Sequence, residues 1–126
     1  MSVLTKDQIF AVKDLPQKSV KVPEWKGSII VRAMGGVERD AWDKYTVERQ
    51  LKAKKENKEC LVIDNRDLKA VLLVLTCVDA EGTPMFGMKD VDSLQKKNGE
   101  VLDRLSTIAG ELSGIRGVDE KVAEKN

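Results

Sequence analysis

The residues from Leu68 to Val78 most constrain what this chain can fold into. They read Leu-Lys-Ala-Val-Leu-Leu-Val-Leu-Thr-Cys-Val. Leu68, Val71, Leu72 and Leu75 follow helical spacing, and Leu73, Val74, Cys77 and Val78 fill the other side. A helix apolar nearly all round belongs at the centre of its domain or beneath a partner. Asp64 or Asn65 is placed to cap such a helix, with Asp67 in its first turn. A buried strand from Ala70 to Val78 is the alternative, because periodicity alone does not separate a short buried helix from a buried strand. Helix is the preferred reading, since Leu is the commonest residue of the run and a good cap precedes it.

Other stretches supply partners for that run. Val20 and Val22 alternate with Lys and Ser, Pro23-Glu24-Trp25-Lys26-Gly27-Ser28 turns the chain, and Ile29-Ile30-Val31 follows. β-Branched runs on either side of a Pro/Gly turn predict a β-hairpin, here with its second strand ending at Ala33-Met34. Gly35-Gly36 then breaks into a helix in which Val37, Ala41 and Tyr45 share a stripe with Trp42 beside it. Glu38 and Asp40 lie in its first turn, where the helix dipole favours negative charge. From Lys52 to Glu59 the chain is too polar to pack on a core, so the helix frays or protrudes there. The clearest amphipathic stripe starts near Asn98 and carries Val101, Leu102, Leu105, Ile108, Ala109 and Leu112, before Ser113-Gly114 ends it.

Shorter pieces complete the chain. Thr5-Lys6-Asp7-Gln8 reads as a capping box opening a helix over about residues 6–12, with Ile9 and Phe10 expected inward. Leu15-Pro16 stops it, because the residue before Pro avoids the helical region. Asp79-Ala80-Glu81-Gly82 is a turn, Thr83-Pro84-Met85-Phe86 is extended, and Lys89 to Lys96 forms a brief helix carrying Val91 and Leu94.

A chain of 126 residues makes one domain. Two Phe, two Trp and one Tyr are its whole aromatic content, so Leu, Ile and Val must build the core. A net charge of +1 lacks the basic excess of a nucleic-acid binder. Lys52-Ala53-Lys54-Lys55 with Lys58 is interrupted by Glu56 and Glu59, and reads as a solvated helix end or loop. The longest apolar run, Ala70 to Leu75, is too short to span a bilayer, so no membrane association is expected. Met1-Ser2-Val3-Leu4-Thr5-Lys6 lacks the apolar centre of a signal peptide. A soluble protein of a reducing cytoplasm is the expectation. Residues 118–126 are mostly charged and are expected to form a loose tail after a domain spanning 1–117.

Motifs for chemistry are scarce. There is no His, the commonest general base and metal ligand. Cys60 and Cys77 form neither a disulfide framework nor a metal-ligand spacing, and Cys77 reads as a buried thiol. Gly35-Gly36 continues into no phosphate-binding pattern. Asp64 with Asp67, and Asp90 with Asp92, sit where helices begin and read as caps. Asp79-Ala80-Glu81-Gly82 lacks the length and terminal Glu of a calcium loop. No catalytic residue, metal or cofactor is therefore expected.

Recognition of other proteins is the remaining class. Trp25 on the hairpin turn reads either as packed on the module's own helices or as a contact anchor, since Trp is enriched at interface hot spots. Met34, Met85 and Met88 suit adaptable surfaces, though filling a core is the commoner use of Met.

Several segments together resemble a known family. They are Val22-Pro23-Glu24-Trp25, Ile29-Ile30-Val31-Arg32 and Val37-Glu38-Arg39-Asp40-Ala41-Trp42, then Asp79-Ala80-Glu81-Gly82 with Met85-Phe86. Asp90-Val91 with Leu94, Leu102-Asp103-Arg104-Leu105 and Leu112-Ser113-Gly114 follow in order. In their order and spacing these resemble the tail assembly chaperones of long, non-contractile-tailed bacteriophages, across residues 5–117. The chain departs from the pattern at Gly87, where Ser or Thr is commoner, and at Gly99 inside a helix start.

The resemblance implies a non-enzymatic protein that binds the long helical tape measure protein and keeps it soluble. It implies that the chaperone then gives way to tail tube subunits, works in the host cytoplasm, self-associates along its client and is absent from the mature virion. Such chaperones commonly occur in two forms, the longer made by ribosomal frameshifting, and this chain is similar to the shorter. Glu124-Lys125-Asn126 is compatible with an A-rich slippery codon run. The contact residues expected are Leu72, Leu73 and Val74 of the over-apolar helix, with Trp25, Met34, Trp42, Met85 and Phe86 beside them.

Two alternatives stay open: a structural tail-completion or connector protein, and a small cytoplasmic enzyme in which Asp64, Asp67, Asp79 and Lys69 converge. The expected fold is α+β, a β-hairpin or small antiparallel sheet packed with four to five helices.

Overall fold

The computed structural model describes residues 3–56 and 67–115. Strands β1 (Gln17–Val22) and β2 (Gly27–Arg32) form the hairpin, paired antiparallel from Gln17↔Arg32 to Val22↔Gly27. Their connection is one 3₁₀ turn, Pro23–Trp25, closed by Lys26 at φ 58°, whose N–H donates to the Pro23 carbonyl. Pro opens the turn because its fixed φ suits a first helical position. The second strand ends at Arg32 rather than at Ala33-Met34. The Ala33 N–H turns back to the Pro16 carbonyl, and the Met34 N–H goes to Ser113 Oγ, so neither continues the ladder.

The apolar run takes both of its candidate forms in succession. It is helical as α3 (Leu68–Thr76) and extended as β3 (Cys77–Val78), which pairs antiparallel with β2 through Ile30↔Val78 and Val31↔Cys77. Thr76, whose Oγ1 donates to the Leu72 carbonyl, is the last helical residue. Asp67 occupies the N-cap position instead of the first turn, and its side chain makes no capping bond. The expected caps Asp64 and Asn65 lie outside the described residues, as do Cys60 and residues 118–126.

The sheet order is β1-β2-β3. Its outer edges are blunted. β1 carries Lys18 and Lys21, and Val78 bridges to Pro84, which has no N–H to offer a further strand. Val20, Val22, Val31 and Cys77 share the inner face and are buried. Against that face pack α3 and α5 (Gly99–Leu112), the latter through Val101, Leu102, Leu105 and Ala109. Asn98 caps α5 by accepting from the Glu100 and Val101 N–H groups, which is why Gly99 is tolerated as its first residue.

Helix α4 (Val91–Gln95) follows a 3₁₀ turn at Met88–Asp90 and buries Val91 and Leu94, as their spacing predicts. Gly87 needs no hydroxyl there, because its carbonyl accepts from the Asp90 N–H at 2.9 Å while its own N–H donates to Asp90 Oδ2. Helix α2 (Gly36–Glu56) lies on α3 and stays helical into the polar stretch as far as Glu56. Among the described residues, five helices and a three-stranded antiparallel sheet make an α+β fold, mainly helical.

Two sequence expectations fail for identifiable reasons. Val37 is 79% exposed and Ala41 is also outward. The large Trp42 takes the core-facing position and rotates α2 so that Tyr45 and Arg49 follow it. Helix α1 (Lys6–Ala11) forms with its capping box, Thr5 Oγ1 accepting from the Gln8 N–H and Gln8 Oε1 from the Thr5 N–H. Yet it buries no residue, so Ile9 and Phe10 face outward.

Candidate protein-interaction surface

The turn of α2 toward Trp42 leaves its neighbouring face, Ala41, Lys44 and Glu48, unpacked. With Tyr45, Val71 and Leu75 of α3, and Met88 of the 3₁₀ turn, this face lines an open groove of about 340 Å³. Val71, Leu75 and Ala41 make its walls apolar, while Lys44 and Glu48 put one charge of each sign along the α2 side. Met88 is 50% exposed and Met85, on the preceding extended piece, 42%. Flexible thioethers of this kind adapt to varied apolar surfaces.

A polar cluster holds α2 to α3 beside the groove. Tyr45 Oη donates to Asp67 Oδ2, and the Arg49 guanidinium donates to Asp67 and to Tyr45 Oη, the latter at 2.6 Å. Arg49 also lies 5.0 Å over the Tyr45 ring, within cation–π range. Burial, then the bond to Asp67, push the Tyr45 hydroxyl above its ordinary 10.0, so it remains a donor at neutral pH. Among the described residues, none donates a hydrogen bond to the buried Asp67 Oδ1.

The candidate contact residues divide by burial. Met34, Trp42, Leu72, Leu73 and Val74 are all within the core of the single chain. Trp25 and Phe86 are half-buried against that core. Met85 alone of the eight is exposed. Of these eight, only Met85 and the edges of Phe86 and Trp25 are open to solvent in this conformation.

Among the described residues, Asp67, Asp79 and Lys69 do not converge. Asp67 is held by Tyr45 and Arg49, Asp79 Oδ1 accepts from the Glu81 and Thr83 N–H groups of its own turn, and Lys69 pairs with Asp103. Asp64 lies outside the described residues. Among the described residues no group of three His, Cys, Asp or Glu is placed to hold a metal. None of the described helices is long and apolar enough to cross a membrane. Burial pushes the Cys77 thiol up to about 12, which leaves it protonated and inert.

The residue pattern and this fold agree with a family comparison. The family model described as phage tail assembly chaperone matches residues 5–126. The chain belongs to that family. The solved tail assembly chaperone of bacteriophage HK97 has the same fold, with a TM-score of 0.53 and 23% identity over 84% of this chain and 90% of that one. None of the curated proteins compared matches the chain. Membership in a chaperone family implies a non-enzymatic role in phage tail assembly.

Two surfaces of the chaperone escape sequence reasoning. The groove was legible only as Ala41, Lys44 and Glu48 at helical spacing beside Tyr45, a pattern that solvent-facing helix residues share. A capped helix with two large apolar residues, Ile9 and Phe10, ordinarily has a core to meet. Here Leu15 beside Gly35 and the Pro16 carbonyl tie only the base of that segment.

Proposed function

We propose that this phage tail assembly chaperone binds helical segments of the tape measure protein and keeps them soluble until tail tube subunits replace it. The observation that carries this reading is the open apolar groove between α2 and α3, with Met85 and Met88 exposed nearby. An amphipathic helix lays its apolar face into such a groove, reading i, i+3 and i+4 anchors. Lys44 and Glu48 on the rim select charged flanks of either sign and keep the loaded complex soluble. Copies along one client self-associate, in the host cytoplasm, and leave before the virion is complete. A longer frameshifted form recruits the tube subunits, and a slippery heptamer in the gene is the feature that form requires.

Co-expression with the tape measure protein of the same genome tests this. The expected result is a soluble tape measure that co-purifies with many copies of the chaperone. A tape measure that stays insoluble with both the short and the longer form overturns the reading. Presence of the chain in purified virions would instead favour a structural tail component.

A further inference from the structure

Helix α1 is complete at its N-terminus yet has nothing to pack on. Its capping box closes through Thr5 and Gln8, and Leu4 and Ile9 take the N′ and N4 positions of a hydrophobic staple. Phe10 is 78% exposed and Ile9 53%, and Val3, Leu4 and Val12 are exposed as well. Six helical residues are far fewer than the ~12–15 that an isolated helix needs to be even marginal in water. A helix this short is normally held by burying an apolar face, and this one buries none in its own chain.

The same chain carries an apolar surface that is equally unfilled, the groove between α2 and α3. No residue of the α1 segment lines it. Among the described residues, the single chain therefore leaves both surfaces open at once. Their charges are complementary. The groove wall carries Lys44 and Glu48, and α1 begins with Lys6 and Asp7, so each sign on the wall has its opposite on the arm.

We propose that the N-terminal arm, Val3 to Val12, of one copy packs in the α2/α3 groove of a second copy. Phe10 and Ile9 fill the groove beside Leu75 and Met88, with Asp7 near Lys44 and Lys6 near Glu48. Each copy has one arm and one groove, so reciprocal docking closes a dimer and head-to-tail docking extends a row. The arm then covers the apolar groove before a client arrives, and a client helix must displace it. That last step rests on the client reading given above; the docking of arm on groove does not.

Cysteine pairing on the full chain tests the docking directly. In a Cys60→Ser background, Asp7→Cys protein is mixed with Lys44→Cys protein under mild oxidation, which leaves Ile9, Phe10 and Met88 in place. The expected result is a disulfide-linked heterodimer forming at least ~10-fold faster than with Glu111→Cys as the partner, because proximity raises the effective concentration of the thiol. Equal rates with the two partners overturn the proposal.

Sizing of Ile9→Asp/Phe10→Asp protein gives an independent readout. Both side chains are exposed in the single chain, so the fold and its thermal midpoint should be unchanged. Self-association should weaken by ~10- to 100-fold, the loss expected for a buried Phe. Wild-type protein that stays monomeric, or a double variant that assembles like wild type, overturns arm docking. Cross-linking that succeeds while tape measure capture fails sinks the client reading and leaves arm docking intact.

Discussion

Single residues set the two ends of the hairpin turn, and both are open to test. Lys26 holds a left-handed conformation at φ 58° that costs an L-residue about 1–2 kcal/mol. Glycine adopts it freely but loses more entropy on folding, about 0.5–1 kcal/mol. Lys26→Gly should therefore stabilise the fold by about 0.5–1 kcal/mol in urea unfolding, as the difference of those two effects. The other residue is Glu24. Arg104 donates to it at 2.8 Å, a hydrogen bond that holds its carboxyl below the ordinary value of 4.5. A depressed carboxyl stabilises the fold above its unfolded value, and that stability is lost as pH falls through the folded one. Glu24→Gln should thus lower the unfolding midpoint slightly at neutral pH, with the gap to wild type closing below pH 4.5 and narrowing in high salt. A gap that persists in acid would show that Glu24 acts through shape rather than charge. Both Glu24 and Lys26 are visible in the sequence, but the pairing of Glu24 with Arg104, eighty positions away, is not.

At the scale of elements, α3 is the centre of the molecule, touching α2, α4, α5 and β2. Its Leu73 is 1% exposed. Leu73→Ala removes atoms that neighbours on several sides cannot replace, and should cost ~2–5 kcal/mol, read as a lowered midpoint in denaturant. An effect under ~1 kcal/mol would mean that the core collapses around the site. The hairpin, α3, α4 and α5 were legible because their period, caps and breakers agree: Asn98 before Val101, Pro23 and Gly27 around the turn, Gly114 at φ 71° after α5. The join of α3 to β3 was not, since Cys77 and Val78 suit either state and the partner strand β2 decides. The facing of α2 was not legible either. Val37, Ala41 and Trp42 compete for the core, and only the fixed position of α3 favours Trp42.

For the whole molecule, the consequence is a chaperone with a closed core and apolar surface left at its margins. Met88→Asp places a charge in the groove without touching the core, as Met88 is half exposed. It should leave the thermal midpoint within about 2 °C of wild type, since surface changes usually stay within ~0.5 kcal/mol. Capture of the tape measure protein should fall at least ~10-fold, the direction expected when a charge must be desolvated against an apolar helix. Unchanged capture would move the client surface away from the groove. The sequence by itself determined the α+β class, most element positions, the absence of a familiar catalytic motif and the resemblance to tail assembly chaperones. These follow from period, capping and residue order, which act over a few neighbours. Only the tertiary structure decided that Leu72, Leu73 and Val74 are core, that Ile9 and Phe10 are not, and that a groove opens between α2 and α3. Burial depends on which faces meet across the fold, and an apolar side chain carries the same pattern whether its partner is its own chain or another.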